Sequence, residues 1–377
     1  MDNRSGHFVN GKVRFASTNF SHKRLETYGV KKYLFNQVHS AIDSNTLMDI
    51  THTTQCTVSV GRLAPSPTGR LHLGHARSFL IAWWHARSRG GRIVLRLEDL
   101  DVERVKPGII EATIDDLRWL GLDWDGEPYV QSSGINQINA AAAALVDRGL
   151  AYPCICTRKE IHAAVSAPHG ASTETVYAGT CRGKFASLAA AERAAGRPAA
   201  LRFAAPNQLV RIEDGIQGVR EFNVATAIGD FPILRRLGTP AYQLAVVVDD
   251  ARQEVTEIVR GADLLESCAR QWLLQEALGV GHPRWWHVPL VTDAAGRRLA
   301  KRSDDVSLAR LRAAGTDPQR IVAWVARSLG IEAPARVSAA DLIPRFDITR
   351  LPRCEVRVTA SDLADLGLPQ STRNPDG

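Results

Sequence analysis

The chain has 377 residues, of which 45% are hydrophobic and 23% charged, and it carries a formal net charge of +7. This composition is typical of a folded globular protein with two or three packing units, and it excludes disorder throughout the chain. Because the sequence has neither a run of about 18 apolar residues nor the pattern of a secretory signal, we expect a cytoplasmic protein that acts without a membrane.

The first segment, residues 1–56, shows neither helical nor strand periodicity, so we predict a basic, disordered extension. Seven basic and three acidic residues lie in residues 1–47, which therefore supply four of the seven net positive charges. Two interpretations stay open. The segment is an arm that tethers RNA, or it is an accidental extension, with Met48 as a possible true start.

The next segment predicts a strand, a turn, a helix and a second strand. An alternating apolar run at 58–63 precedes a turn rich in Pro and Gly at 65–69, and apolar residues then recur at helical spacing over 73–84. A strand is predicted at 93–97 and a helix at 107–121. This βαβ unit predicts an α/β fold with a parallel sheet.

Residues 151–200 interrupt that pattern, and we interpret them as an insertion. Beyond it, strands are predicted at 209–212, 242–248 and 255–259, and helices at 264–278, 306–314 and 318–329, with a basic loop after Gly296; within the insertion a helix is predicted at 188–195. The expected segments are the extension 1–56, the two halves of the α/β domain at 57–150 and 201–290, the insertion 151–200, a loop and helical region at 291–350, and a tail at 351–377.

Residues 65–75, Pro-Ser-Pro-Thr-Gly-Arg-Leu-His-Leu-Gly-His, place two histidines at the start of the first helix. A helix N-terminus presents unpaired N–H groups and partial positive charge, which favour phosphate. Gly74 lets a nucleotide approach the backbone, and His72 and His75 lie on one helix face, where they can donate hydrogen bonds to phosphoryl oxygens. Dehydrogenase and P-loop signatures are absent. For an isolated pair, capping of the helix or a shared metal would be the alternative.

This string resembles the HIGH signature of class I aminoacyl-tRNA synthetases in its glutamyl and glutaminyl form. The resemblance implies a Rossmann-like, doubly wound parallel sheet, ATP with Mg²⁺, and a late KMSKS signature. Residues 298–302, Arg-Leu-Ala-Lys-Arg, occupy that place, although Ala300 stands where Ser is usual. The sequence does not determine how Ala300 affects the rate of glutamate activation. Lys301 matches the lysine that neutralises the ATP phosphates. The implied ATP site is Arg62, Ser66, His72, Gly74, His75 and Lys301, with His72, His75 and Lys301 as the catalytic residues.

Selection of an acidic amino acid needs a cation for its side-chain carboxylate and an acceptor for its ammonium. Arg62 and Arg260 are candidates for the carboxylate, because a guanidinium binds it bidentately, and Arg260 follows a predicted strand. Glu98 would accept from the ammonium, and Tyr242 would contribute its hydroxyl and ring. The resemblance to glutamyl enzymes implies the same positions. Its glutamate site is Arg62, Leu63, Ala64, Pro65, Ser66, Glu98, Tyr242 and Arg260.

Three of the six cysteines, Cys154, Cys156 and Cys181, lie within 28 residues, which in a reducing compartment favours a metal over disulfides. Tetrahedral zinc needs a fourth ligand, for which chemistry alone favours His162 or His169. The pattern C-x-C followed by Y-x-x-x-C instead resembles that of the glutamyl-queuosine tRNA(Asp) synthetases, a truncated branch of the family. That resemblance implies one structural Zn²⁺ on the three cysteines and Tyr177. The choice between tyrosine and histidine stays open.

The resemblance to this truncated branch extends over about residues 58–350, including 230–236 and 248–250. Because about 75 residues remain after Arg302, we expect no anticodon-binding domain. The implied enzyme is a monomer that activates L-glutamate with ATP independently of tRNA and transfers it to queuosine at the wobble position of tRNA(Asp). Which hydroxyl accepts glutamate is left open. The alternatives are a minimal glutamyl-tRNA synthetase that charges the 3′ end of tRNA(Glu), and a catalytically decayed, zinc-stabilised RNA-binding protein.

Overall fold

The computed structural model describes residues 58–165, 176–293, 295–297, 299 and 306–368, without the side chains of residues 162–165. The chain divides into two units, residues 1–56 and 57–377, and all described residues belong to the second. The predictions for residues 1–56, His169, Lys301 and the end of the tail lie outside the described residues, as does the side chain of His162.

The described residues form strands and helices in alternation along much of the chain. The strands are β1 Val60–Leu63, β2 Arg92–Leu97, β3 Tyr129–Val130, β4 Ala151–Cys154, β5 Ala200–Phe203, β6 Leu209–Asp214, β7 Gly218–Asn223, β8 Phe231–Leu234, β9 Glu257–Gly261, β10 Arg284–Val288, β11 Val291–Thr292 and β12 Val356–Arg357. The helices are α1 Leu73–Ser88, α2 Ile109–Trp119, α3 Ile135–Asp147, α4 Arg158–Val165, α5 Leu188–Ala195, α6 Val224–Ala227, α7 Tyr242–Arg252, α8 Ser267–Leu278, α9 Leu308–Ala313, α10 Pro318–Ser328 and α11 Ala360–Asp365. Among these helices, none has the length and apolar character needed to cross a bilayer.

The central strands run parallel, as the βαβ unit predicted. Strands β1, β2 and β3 form one parallel sheet, and β6, β10 and β9 form the parallel part of a second sheet, to which β7 adds antiparallel. The two sheets adjoin at β1 and β9, where the Thr256 amide donates to the Val60 carbonyl at 2.9 Å. The prediction of an α/β fold with a parallel sheet is therefore confirmed.

The hydrophobic core lies on both faces of the sheet. Strand β1 contributes Leu63 to a cluster shared with α1 and α10, and Val60 to a cluster shared with α3, α7 and α8. Successive side chains of a strand point to opposite faces, so each face of β1 is covered by helices. This burial on both sides holds the carboxyl ends of the strands in fixed positions.

The segment predicted as a strand at 242–248 is instead the first part of helix α7, Tyr242–Arg252. That prediction was wrong because residues 246–248 are three consecutive valines, a β-branched run that is typical of strands. In the structure this run is buried between α3 and α8, and a short apolar run does not distinguish a buried helix from a buried strand. Helix α3 and strand β10 were not predicted.

The cysteine-bearing segment belongs to a small antiparallel sheet in the order β4, β5, β8. Residues 151–154 of the predicted insertion thus pair with residues 200–203, which in turn pair with residues 231–234. The domain boundaries stay a prediction. Through this sheet, strand β4, which carries Cys154, is connected by β5 to β8, which lies beyond the predicted insertion.

Candidate active site

A cavity of about 360 Å³ lies at the carboxyl ends of β1, β2 and β9, a size within the range of small-molecule sites. Ligands of open α/β sheets bind at this edge. Many residues predicted for ATP or glutamate line the cavity together: Arg62, Ala64, Pro65, Ser66, His72, Gly74, His75, Glu98, Tyr242 and Arg260. Leu63 does not, since its fully buried side chain packs in the core. Lys301 lies outside the described residues, and the assigned roles stay predictions.

The two histidines are held by the N-terminus of α1. The Gly74 amide donates to His72 Nδ1 at 3.1 Å, and the His72 amide donates to His75 Nδ1 at 3.2 Å. Because both Nδ1 atoms accept, each neutral ring carries its proton on Nε2. The histidines therefore cap the helix and line the cavity at once, so the two interpretations of the sequence do not exclude each other.

Gly74 has a local structural role as well. A Cβ at this position would lie 3.1 Å from His72 Cε1, which is tighter than ordinary van der Waals contact. The sequence analysis assigned this glycine to the approach of a nucleotide. The structure shows that it also makes room for the His72 ring.

A buried ion-pair network connects Glu98, which lines the cavity, to Arg96 and Asp250. Arg96 Nη2 lies 3.3 Å from Glu98 Oε1, and Arg96 Nη1 lies 2.8 Å from Asp250 Oδ1. Ser66 Oγ donates to the other oxygen of Glu98 at 3.4 Å. Burial raises the pKa of Glu98, and Arg96 opposes that rise. Sequence reasoning missed Arg96, although a charged residue inside a short apolar strand was the available signal.

Both predicted arginines have one buried nitrogen without a hydrogen-bond partner among the described residues, and the one in Arg62, Nε, lies 3.6 Å from Asp250 Oδ1. Arg62 Nη1 donates to the Val259 carbonyl at 3.1 Å, and burial lowers the pKa of Arg62. Arg260 Nη2 donates to the Leu264 carbonyl at 3.3 Å and to Cys268 Sγ at 3.2 Å. Arg260 Nη1 is buried and has no hydrogen-bond partner among the described residues. Because Arg260 lines the cavity, this nitrogen is a candidate donor to a ligand bound there.

Tyr242 reaches the cavity from the first turn of α7 rather than from a strand. It is 37% exposed and lines the cavity with Glu98 and Arg260. A hydroxyl and a ring face placed between a carboxylate and a guanidinium can contact both the polar and the apolar parts of an amino acid.

The cysteine cluster lies in the small antiparallel sheet region. The sulfur atoms of Cys154, Cys156 and Cys181 lie within 4.8 Å of one another, so the three residues could hold a metal ion. The Tyr177 hydroxyl lies 3.3 Å from Cys154 Sγ and 3.5 Å from Cys156 Sγ. Sulfur ligands at about 2.3 Å from a tetrahedral zinc would be about 3.8 Å apart, so these four donors fit such an ion.

Arg202 supplies the positive charge next to this cluster, and sequence reasoning missed it. Its Nε donates to Cys154 Sγ at 3.3 Å, and its guanidinium carbon lies 4.0 Å from the centre of the Tyr177 ring. Burial raises the pKa of Cys156 to about 11. A bound cation would reverse that shift, because a metal-bound thiol is deprotonated.

Comparison with known proteins gives a consistent pattern. Residues 58–359 match the family model of tRNA synthetases class I (E and Q), catalytic domain. A glutamyl-Q tRNA(Asp) synthetase from Symbiobacterium thermophilum is 46% identical over 316 residues, which cover 81% of this chain and 98% of that protein. One from Rhodopirellula baltica is 45% identical, covering 78% and 95%. The crystal structure of glutamate-tRNA synthetase from Elizabethkingia anophelis superposes with a TM-score of 0.71 at 27% identity, over 82% of this chain and 69% of that one.

Proposed function

The chain belongs to the class I tRNA synthetases of the glutamyl and glutaminyl type, and from this membership we propose that it is a glutamyl-queuosine tRNA(Asp) synthetase. It activates L-glutamate with ATP independently of tRNA, and it transfers the glutamyl group to queuosine at the wobble position of tRNA(Asp). Its substrates are cytoplasmic, so the proposal includes a cytoplasmic location.

The observation that carries the proposal is one cavity that contains both a histidine pair at a helix N-terminus and a buried arginine with an unused donor. In this proposal His72 and His75 bind the phosphates of ATP, and Arg260 Nη1 donates to the side-chain carboxylate of the substrate. The shared cavity and the unpartnered Nη1 support these roles. Glu98 accepts from the α-ammonium. Lys301, in the loop outside the described residues, completes the proposed phosphate site, and Mg²⁺ accompanies ATP.

The proposed reaction has two steps. An oxygen of the glutamate α-carboxylate attacks the α-phosphorus of ATP, which forms glutamyl-adenylate and releases pyrophosphate. A hydroxyl of queuosine then attacks the carbonyl carbon, which forms an ester and releases AMP, and the hydroxyl proton passes to the leaving phosphate. Neither step needs a covalent enzyme intermediate, so the side chains act by orientation and by stabilising developing charge.

We further propose that residues 151–200 form a zinc-bearing insertion in which Cys154, Cys156, Cys181 and Tyr177 hold one structural Zn²⁺. The convergence of these four donors supports it, and no ligand position is left open for catalysis. Zinc content per protein tests the tyrosine: Tyr177→Phe is expected to lose tightly bound metal. Tyr152→Phe is the matched control, because the Tyr152 hydroxyl donates to Asp230 rather than to the cluster. Retention of a full equivalent in Tyr177→Phe would count against a tyrosine ligand.

A second candidate, a minimal glutamyl-tRNA synthetase, is favoured by one observation. The Elizabethkingia anophelis protein, whose fold this chain shares at a TM-score of 0.71, is a glutamate-tRNA synthetase. That enzyme class charges the 3′ end of tRNA, so the two candidates differ in which hydroxyl of tRNA accepts the glutamyl group.

Transfer of labelled glutamate onto total tRNA from cells with and without queuosine separates these functions. We expect label only on the queuosine-containing tRNA, released by mild alkali as an ester. Equal labelling of both pools would favour 3′-end charging. Absence of label in both, with metal-replete protein, would favour a decayed RNA-binding protein, which would also show no pyrophosphate exchange and a steep salt dependence of RNA binding.

A further inference from the structure

A buried histidine and a buried carboxylate lie directly behind Arg260. His287 on β10 is fully buried, and Asp214 at the end of β6 is 4% exposed. His287 Nδ1 donates to Asp214 Oδ2 at 2.5 Å, and His287 Nε2 accepts from Arg260 Nε at 3.0 Å. Arg260 and His287 are opposite each other in the pairing of β9 with β10, so the backbone fixes this contact.

These partners permit one tautomer of His287. A carboxylate only accepts and a guanidinium only donates, so the ring carries its proton on Nδ1 and leaves Nε2 as an acceptor. Burial lowers the pKa of His287, which keeps the ring neutral. The remaining group near Nε2 is Cys268 Sγ at 3.6 Å, and burial raises the pKa of that thiol to about 11, so it stays protonated.

The neutral tautomer fixes the orientation of the Arg260 guanidinium. Its Nε is held by His287, and its Nη2 is held by the Leu264 carbonyl and by Cys268 Sγ. A guanidinium is planar, so when two of its nitrogens are held by hydrogen bonds the position of the third nitrogen is fixed as well. That third nitrogen, Nη1, is the buried donor without a hydrogen-bond partner among the described residues.

We propose that Asp214 and His287 are positioning residues that determine amino-acid specificity, because they hold Arg260 so that Nη1 meets the side-chain carboxylate of the substrate. The inference rests on the proposed function and deepens it. Neither residue contacts the substrate in this arrangement. They act through Arg260, as the carboxylate partner of a catalytic histidine acts by fixing its tautomer.

Asp214→Asn is the sharpest test because the backbone amides around it favour one orientation of the replacement amide. Asp214 Oδ1 accepts from the amides of Ile216 at 3.0 Å, Gln217 at 2.7 Å and His287 at 3.2 Å, whereas Oδ2 accepts from His287 Nδ1 and, at 3.1 Å, from the His287 amide. An asparagine oxygen at the Oδ1 position keeps all three amides satisfied, whereas the opposite orientation would leave those of Ile216 and Gln217 facing NH₂, so the NH₂ group turns toward His287 Nδ1. Nδ1 must then accept, the ring proton moves to Nε2, and a donor faces the donor of Arg260.

The experiment measures glutamate-dependent exchange of pyrophosphate into ATP by the full chain. For Asp214→Asn we expect the KM for glutamate to rise about tenfold to a hundredfold, typical of losing a partner that orients a ligand, with kcat and the KM for ATP nearly unchanged. Rejection of glutamine relative to glutamate should weaken in parallel. A merely structural role would lower the active fraction and therefore kcat, and it would leave both KM values unchanged.

Three further variants make the test specific. Glu257→Gln is the matched control: Glu257 lies on β9 like Arg260, and it pairs with buried His85 at 3.2 Å rather than with His287. This variant should leave the KM for glutamate unchanged. His287→Gln supplies both an acceptor for Arg260 and a donor for Asp214, so it should retain a lower KM than His287→Leu, which supplies neither.

The outcomes separate the inference from the function on which it rests. An unchanged KM and unchanged glutamine rejection in Asp214→Asn, with an active wild type, would overturn the inference and leave the proposed function standing. A wild type without glutamate-dependent exchange would overturn both. Nitrogen-15 NMR of the His287 ring, assigned by its loss in His287→Gln, should show the proton on Nδ1 in the wild type; a proton on Nε2 would also overturn the inference.

Discussion

The candidate active-site cavity and the cysteine cluster both contain buried polar groups, but they are assembled over very different lengths of chain. The cavity uses residues from Arg62 to Leu299, and large hydrophobic clusters on both faces of the sheet support it. The cysteine cluster uses residues 154–181. The hydrophobic cluster around it has only four buried members among the described residues: Tyr152, Cys154, Tyr177 and Cys181. The cavity is therefore held by the fold, whereas the zinc ion that we propose for the cysteine cluster would supply much of the stability of that region.

The two regions also shift the pKa of a glutamate in opposite directions. Burial raises the pKa of Glu98 in the cavity. In the predicted insertion, a hydrogen bond from the Thr157 amide lowers the pKa of Glu160 to about 2, helped by Arg197. Glu98 loses solvation at the edge of the cavity, whereas Glu160 gains hydrogen bonds while staying exposed.

Removal of the metal should have the largest effect, and it should be confined to one region. A structural zinc ion contributes about 10 kcal/mol or more to small metal-dependent folds, so chelation or Cys154→Ala should abolish hydrogen-exchange protection around residues 151–156 and 177–181. Protection of α1 and β9 should persist. Cys354→Ala, which removes an exposed thiol outside the cluster, is the control. Equal loss of hydrogen-exchange protection in both regions would contradict the expectation that the metal stabilises only the cysteine region.

Arg260→Gln should have the next largest effect, and it should be confined to the cavity. It removes the charged partner of a buried substrate carboxylate, so kcat/KM for glutamate should fall about a hundredfold to a thousandfold, with the metal content unchanged. Pyrophosphate exchange and zinc analysis of the same sample measure both.

The control for that variant is Arg87→Gln. Arg87 pairs with Asp123 and Asp125, which do not line the cavity, and it should keep kcat/KM within about twofold, as expected for a partly exposed ion pair. A similar loss in both arginine variants would mean that the effect reflects stability rather than binding of the substrate carboxylate.

A change of pH should have the smallest effect, and it should distinguish the raised pKa of Glu98 from the lowered pKa of Glu160. As pH falls through the raised pKa of Glu98, the carboxylate loses its charge and the KM for glutamate should rise severalfold. The stability contributed by Glu98 is lost as pH rises through that pKa, so this acidification does not destabilise the fold through Glu98. The contribution of Glu160, whose pKa is lowered, is present above its ordinary value near 4.5 and is lost progressively as pH falls to about 2.

The readouts are the KM for glutamate and circular dichroism over the same pH range. We expect KM to change before any loss of helical signal. In Glu98→Gln, KM should be high and nearly independent of pH in this range. Coincident changes of KM and helical signal in the wild type would contradict the assignment of the pH effect to Glu98.

The parts of the fold that the sequence predicted well are those with strong local signals. The turn at 65–69 and the helical spacing after it predicted α1, and the apolar run at 93–97 predicted β2, because each pattern is complete within a short window. The prediction of a strand at 242–248 was wrong, because this segment is a helix whose apolar residues are buried between α3 and α8. Helix α3 was missed although five consecutive alanines at 140–144 were an available signal.

The sequence alone identified the candidate residues for chemistry: the histidine pair with its glycine, the three clustered cysteines, and the candidate arginines and glutamate. Only the tertiary structure shows how they are supported, since His287 reaches Asp214 on one side and Arg260 on the other because β6, β10 and β9 are neighbours in one sheet. Local patterns report the few residues around a position. A buried hydrogen bond between strands far apart in the chain leaves no periodic signal, because it depends on pairing that the hydrophobic core enforces.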